Sequence, residues 1–252
     1  MSGHSKWANI KHKKAAVDAK KGKVWSRLSK AIIIAARTGS DPTMNARLRL
    51  AVEAAKASGM PRDNIERAIK KGSGELNDGA TAEEILYEGY GSGGTAVICE
   101  ILTDNRNRTA PEIRKIFEAG GGKMGATGCV SYMFDRKGLF VIEADKIGED
   151  DLMELVLEAG ADDLSNEGEV YEVYCAPENF TAVAEALEGK NIPVTEANLS
   201  RIPQNEVEVS EIDVARRILR MIERLEDHDD VSAVFSNYNI PDEIMEKLEE
   251  ED

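Results

Sequence analysis

Basic side chains are crowded into one end of this chain. Residues 1–71 hold 17 Lys and Arg against five Asp and Glu, a net of +12; residues 72–252 hold 15 against 42, a net of −27. The formal charge of −15 over 252 residues therefore averages two opposite objects. A single evenly charged body cannot be built from such halves, whereas a basic module joined to an acidic body can. The length agrees, at about two domains or three small ones. The longest unbroken apolar run is Ala31 to Ala36, six residues, against the about 20 needed to cross a bilayer. No membrane span is expected. Met1 to His12 carry Lys and His and no apolar stretch, unlike a secretory signal. Cys99, Cys129 and Cys175 are odd in number and widely spaced, which fits free thiols in a reducing, cytoplasmic setting. With three His and no CxxC pair, no metal site is expected.

Trp25, Leu28, Ile32 and Ala35 recur at spacings of three and four, predicting a helix closed by Thr38-Gly39. Asp41-Pro42 reads as the cap and first residue of a second helix, which carries Leu48, Val52 and Ala55 and stops near Ser58-Gly59. Pro61 opens a third, ending at Lys70-Lys71-Gly72. Gly39, Gly59 and Gly72 are the expected C-terminal caps. Residues 72–82 read as a linker. A hairpin pattern follows, at 85–87 and 95–102. Thr109 and Glu112 form a capping box for a helix to Ala119, and 129–134 reads as a strand. Further strands are expected at 139–143, 170–175, 192–200 and 231–237. Helices are expected at 149–159, 178–187 and 212–226, with a short fraying helix at the acidic end.

Motifs for catalysis are weak. Gly89-Tyr90-Gly91-Ser92-Gly93-Gly94 fits GxGxxG, but a dinucleotide site needs a helix after it, and a strand pattern follows. It reads as a hairpin turn. Gly120-Gly121-Gly122-Lys123 follows a helix, and Met124 stands where a phosphate loop needs Ser or Thr. It reads as a turn whose backbone N–H groups remain open to a phosphate. His4, His12 and His228 lack the spacing of a nucleophile or ligand set, and His228 is expected at a solvated helix end. The cysteines read as buried, inert thiols. Arg216, Arg217, Arg220 and Arg224 share a helix face and are expected to pair with Glu211, Glu223 and neighbours. Nothing here supports an enzyme, a cofactor or a small-molecule substrate.

The first 30 residues are different. They hold nine Lys or Arg and one acid, Asp18, with Trp7 and Trp25 interleaved. Unpartnered lysines repel one another unless a polyanion neutralises them, so this arm is expected to bind nucleic acid. Six phosphate contacts would give a log K against log salt slope of about −5. Trp25, in phase with Leu28 and Ile32, is expected to pack; for Trp7, packing and base stacking stay open. Eight of the nine basic residues are Lys, which serve phosphates as point charges and do not read base edges bidentately. With no helix-turn-helix pattern, this favours structured RNA or non-specific DNA over promoter sequence.

Two long motifs carry a resemblance. The opening Met1-Ser2-Gly3-His4-Ser5-Lys6-Trp7-Ala8-Asn9-Ile10-Lys11-His12-Lys13-Lys14-Ala15-Ala16 is one. The other is Asp104-Asn105-Arg106-Asn107-Arg108-Thr109-Ala110, followed by Gly120-Gly121-Gly122-Lys123-Met124-Gly125, Gly128-Cys129-Val130 and Phe134. Both resemble the YebC/PmpR family, in order along nearly the whole chain; Met124 and Cys129 stand where that family more often has Leu and Ser. The resemblance implies an α+β, YebC-like three-domain fold, with a helical N-terminal domain and two ferredoxin-like α+β domains. These map to 1–76, to 77–134 with 205–240, and to an inserted 135–204, leaving an acidic tail at 241–252. It also implies a regulator of gene expression, described either as a promoter-DNA-binding transcriptional regulator or as a ribosomal-RNA-binding translation factor that relieves stalling at proline-rich stretches. The expected nucleic-acid contacts are Lys6, Trp7, Lys11, Lys13, Lys14, Lys20, Lys21, Lys23 and Arg27 on the arm, with Arg106, Arg108 and Lys123 as a second contact. The acidic domains are expected to stand off from the RNA.

Overall fold

The structure, a computed structural model, describes residues 21–76, 83–103 and 105–251, with the side chains of 21–23 and 249–251 left out. Its helices are α1 (Lys21–Ala36), α2 (Ala46–Ala57), α3 (Arg62–Gly72), α4 (Arg106–Ala119), α5 (Glu149–Glu158), α6 (Phe180–Gly189), α7 (Ile212–Glu226) and α8 (Asp242–Glu251). Its strands are β1 (Glu83–Tyr90), β2 (Ala96–Thr103), β3 (Lys123–Met124), β4 (Phe134–Glu143), β5 (Ala161–Asn166), β6 (Val170–Cys175), β7 (Glu196–Pro203), β8 (Val207–Glu208), β9 (Val231–Ser236) and β10 (Tyr238–Asn239). The fold is α+β. Two compact units form: one from Val24–Leu76 with Arg136–Ile202, the other from the described residues of 77–135 and 203–252. No described helix is long and apolar enough to cross a membrane.

In the first unit, α1 buries Ile32, Ile33, Ala35 and Ala36. The second helix starts later than Asp41-Pro42 predicts. Asp41 instead folds a turn, accepting from the Thr43 N–H at 2.9 Å and its hydroxyl at 2.7 Å. Asn45 is the cap, accepting from the Leu48 N–H at 3.0 Å, while its Nδ2 donates to the Ala35 carbonyl at 2.9 Å. One side chain thus satisfies the end of α1 and the start of α2, which Asp cannot do because a carboxylate only accepts. Gly72 lies within α3 and is no cap. A Cβ there would meet the Ile33 carbonyl oxygen at 2.4 Å, so the missing side chain lets α1 and α3 approach. The positive φ after α3 falls on Gly74, at +80°.

Residues 134–203 run β4-α5-β5-β6-α6-β7 in a sheet of order β5-β6-β4-β7. This is the ferredoxin-like split βαβ arrangement. Phe140 and Phe180 stack at 4.6 Å among Leu152, Val156, Val183 and Leu187, and Ala46 of α2 joins this core. Strand β5 escapes the sequence pattern because Ala-Asp-Asp-Leu-Ser-Asn buries only Leu164 fully. As an edge strand paired to β6 through Leu164↔Val173, it needs no apolar alternation.

The second unit holds a sheet of order β3-β1-β2-β9. The β1–β2 hairpin is closed after Tyr90↔Ala96, so the glycine-rich segment is a turn as read. Side chains alternate across the sheet. Tyr87, Val97, Cys99 and Ile101 face Ile113 and Phe117 of α4 and Ile218, Met221 and Leu225 of α7. Ala96, Ile98 and Phe235 face the other way, with Val130 and Phe134. Wiring separates this unit from the first: its central strands are joined directly, whereas β4 and β5 are joined through a helix. Helix α4 starts at Arg106, earlier than the capping box predicts. Asn105 caps it, and Thr109 is buried, donating to Asp230 Oδ2 at 2.6 Å. The acidic end is not a free tail up to residue 248, since Met245 and Leu248 of α8 lie in the core of this unit.

Candidate nucleic-acid interface

Lys6, Trp7, Lys11, Lys13, Lys14 and Lys20 lie outside the described residues. Lys21 and Lys23 lie on the described part of α1. Arg27 follows one turn on, exposed. Trp25 packs as read, its indole N–H donating to the Ser58 carbonyl at 3.2 Å and tying α1 to the end of α2.

The expected second contact lies in the second unit. Arg106 and Asn107 occupy the exposed first turn of α4. Arg108 is engaged, with its guanidinium 2.8 Å from Asp230 Oδ2. Burial alone would raise the Asp230 carboxyl; hydrogen bonds from Thr109, Arg108 and Thr103, with the Arg108 charge, outweigh it and hold the group below its ordinary value. Lys123 is exposed on edge strand β3. The glycine loop before it is not open to a phosphate. Gly120 N–H donates to Ile116 and Phe117, Gly121 to Glu118 and Gly122 to Phe117, at 2.8–3.1 Å. These donors close the C-terminus of α4, as left-handed Gly121 at φ +73° permits.

Other parts of the sequence reading change. Of the α7 arginines, Arg216 pairs with Asp213 at 2.8 Å. Arg217, Arg220 and Arg224 are exposed and make no ion pair among the described residues, against the expected pairing. Glu211, which precedes α7, and Glu223 on it make no ion pair with these three. His228 is not a bare solvated end: its Nε2 meets Glu112 at 3.0 Å and its Nδ1 accepts from the Asp230 N–H at 3.1 Å. Cys99 and Cys175 are buried, which raises the first thiol and pushes the second up to about 11. Cys129 sits half-buried in a turn and not in a strand.

That turn is built around a carboxylate the sequence reading passed over. Glu88 is 2 % exposed. Its Oε1 accepts from the Gly128 N–H at 2.8 Å, and its Oε2 from Val130 at 3.0 Å and Ser131 at 2.8 Å. Burial pushes its pKa up, but these donors and the Ser131 side chain outweigh burial and lower it. The claimed N–H groups explain why 129–134 is no strand, and why the strand starts only at Phe134. One signal was present in sequence: Glu88 stands between Leu86 and Tyr90 on one side of the strand, a carboxylate between two large apolar residues. The loop presents Tyr132, 70 % exposed, beside Tyr90, 40 % exposed, whose hydroxyl donates to the Cys129 carbonyl at 3.1 Å.

Comparison with known proteins agrees with this architecture. A family model described as the TACO1/YebC second and third domain matches residues 82–238, and one described as the TACO1/YebC protein N-terminal domain matches residues 5–75. A probable transcriptional regulatory protein of Elusimicrobium minutum is 55 % identical over 249 residues, covering 98 % of this chain and 99 % of the relative. A namesake from Syntrophus aciditrophicus is 52 % identical, with the same coverage. The crystal structure of a conserved hypothetical protein from Aquifex aeolicus superposes with a TM-score of 0.84 at 46 % identity, covering 94 % of this chain and 98 % of that one. Matches that span both the basic helical segment and the two sheets, at these identities, place the chain in the TACO1/YebC family.

Proposed function

We propose that this protein is a non-catalytic, nucleic-acid-binding regulator of gene expression that acts in the cytoplasm on ribosomal RNA, as a translation factor relieving stalls at proline-rich stretches. One observation carries the reading: a net charge of +12 in the first 71 residues, against −27 in the rest. Lysines dominate the arm and repel one another. A polyanion relieves that repulsion, and lysine serves phosphates without reading sequence. Exposed Arg106, Lys123, Arg217, Arg220 and Arg224 supply a second set of cations. Arg108 contributes less, being held by Asp230.

The names of the relatives favour the other reading, a promoter-DNA-binding transcriptional regulator. In-cell crosslinking with sequencing of the bound nucleic acid separates the two. It is run on wild type and on a variant with Lys11, Lys13, Lys14, Lys20 and Lys21 changed to Glu. Ribosomal RNA at one site, lost in the variant, is the expected result. Discrete promoter DNA overturns the translation reading, and unchanged recovery by the variant overturns the lysine arm as the anchor.

A further inference from the structure

The two exposed aromatic side chains of the described residues are neighbours. Tyr132 and Tyr90 are 70 % and 40 % exposed, while the other exposed large apolar residues, Met44, Leu76 and Leu157, are aliphatic. Tyr90 is held by its hydroxyl on the Cys129 carbonyl at 3.1 Å. Tyr132 follows three residues later, in the short helical turn Ser131–Met133, close enough to perturb the Tyr90 hydroxyl.

A cation completes the group. In the β1–β3 ladder Tyr90 stands opposite Lys123, and directly opposed residues project to one face with Cβ atoms about 5 Å apart. Strand alternation agrees. Met124 packs toward α4 and α7, so Lys123 faces the other side, with Tyr90 and Glu88. Lys123 makes no ion pair among the described residues. Around the loop, Arg217 Cδ lies 3.8 Å from where a Cβ on Gly121 would sit.

The loop is held in place. Glu88 gathers the N–H groups of Gly128, Val130 and Ser131, Gly125 N–H donates to the Glu88 carbonyl at 2.8 Å, and Gly128 takes φ +86°. A buried carboxylate satisfied by three backbone donors fixes the loop in one shape. Fixing it leaves a large ring in water, which folding alone does not favour.

We propose that Tyr132, Tyr90 and Lys123 form a binding site for an unpaired nucleotide of RNA, the base stacking on the tyrosine ring and its phosphate meeting the lysine. The site deepens the RNA-binding reading and rests on it. Aromatic side chains beside cations are how single strands are held. A docked protein fits less well, because the loop leading to Tyr132 exposes the small residues Gly125, Ala126, Thr127 and Gly128 and no apolar patch.

The test uses the full chain and two probes: an unstructured 12-nucleotide RNA carrying a central 2-aminopurine, and a duplex of equal length. Stacking on Tyr132 quenches the fluorescent base. Tyr132→Ala is expected to weaken single-strand binding about 5- to 100-fold and abolish the quench, leaving duplex binding and the salt slope unchanged. Tyr132→Phe retains both. Lys123→Ala is expected to lower the single-strand salt slope by about 0.7. Wild-type affinity and quench in Tyr132→Ala, or equal loss on both probes, overturns the site while leaving the arm intact. No binding of either probe by wild type overturns the RNA-binding reading and this site with it.

Discussion

Helices α5 and α6 in one unit, and α4 and α7 in the other, do the same structural work. Each pair covers one face of a four-stranded sheet with a stripe of aliphatic and Phe side chains. Their outer surfaces are opposite. Helices α4 and α7 carry eight Arg and Lys between them, whereas α5 and α6 carry none and hold seven Asp and Glu. The inner stripes are alike because the fold demands them; the outer charges are free to vary because water solvates either sign. Outer charge therefore reports on partners and not on folding. Under the proposed function, the α4–α7 cover would meet the polyanion and the α5–α6 cover would not. The acidic body is thus less uniform than its net charge suggests.

The comparison is first broken through the shared part. Phe117 and Phe140 are both 0 % exposed, one in each core. Phe117→Ala and Phe140→Ala should each cost about 3–5 kcal/mol, read by urea denaturation. A loss well under that range in either would mean that the two stripes are not equivalent.

The unlike part comes next. Changing Arg217, Arg220 and Arg224 to Gln should leave stability nearly unchanged, since none is in an ion pair among the described residues. If all three reach phosphates, the log–log salt slope for duplex or structured RNA should fall by about 2.7, and affinity at 0.15 M salt by about 100-fold. Changing Glu154 and Glu185 on α5 and α6 to Gln should move binding by less than about twofold if, as proposed, these helices stand away from the nucleic acid. Equal effects from the two sets would dissolve the distinction.

How much of this was legible in sequence depends on what each residue reports. Local spacing placed the long helices, because stripes such as Ile113 with Phe117 and Ile218 with Met221 are periodic. It misplaced helix starts wherever a long-range partner decides. Thr109 looked like a cap, but Asp230, 121 residues away, claims its hydroxyl, and Asn105 caps instead. Glu88 acts through N–H groups 40–43 residues on, so neither the pinned loop nor Tyr132 was visible from periodicity. Strand β5 is polar because its position at the sheet edge excuses it. The charge split, which needs no geometry, was fully legible, as was the family resemblance. The pairing of individual arginines was not, because sequence separation does not fix which rotamers meet.

The smallest expected effect probes the loop that packs on the second unit's other sheet face. Glu88 holds its loop as a carboxylate. The Glu88→Gln amide has one accepting oxygen for three N–H donors, and its NH₂ group faces one of them. A loss of about 1–2 kcal/mol is expected, with faster hydrogen exchange at Gly128, Val130 and Ser131. The same change at Glu172, the buried strand carboxylate of the other sheet, should leave those amides unaffected. The pH dependence follows from the lowered pKa of Glu88. A carboxyl depressed in the folded state contributes stability that is present above its unfolded value, about 4.3, and lost as pH falls through the folded value. Wild type should therefore lose loop protection below about pH 4.3, while the Gln variant, already without the charge, should show a flatter profile there. Asp230 is shifted the same way and contributes to global acid sensitivity in both proteins, so the difference between them isolates Glu88. Parallel pH profiles, or wild-type exchange at the three amides in Glu88→Gln, would mean the carboxylate is a passenger on a loop held by Gly125 and Tyr90 alone.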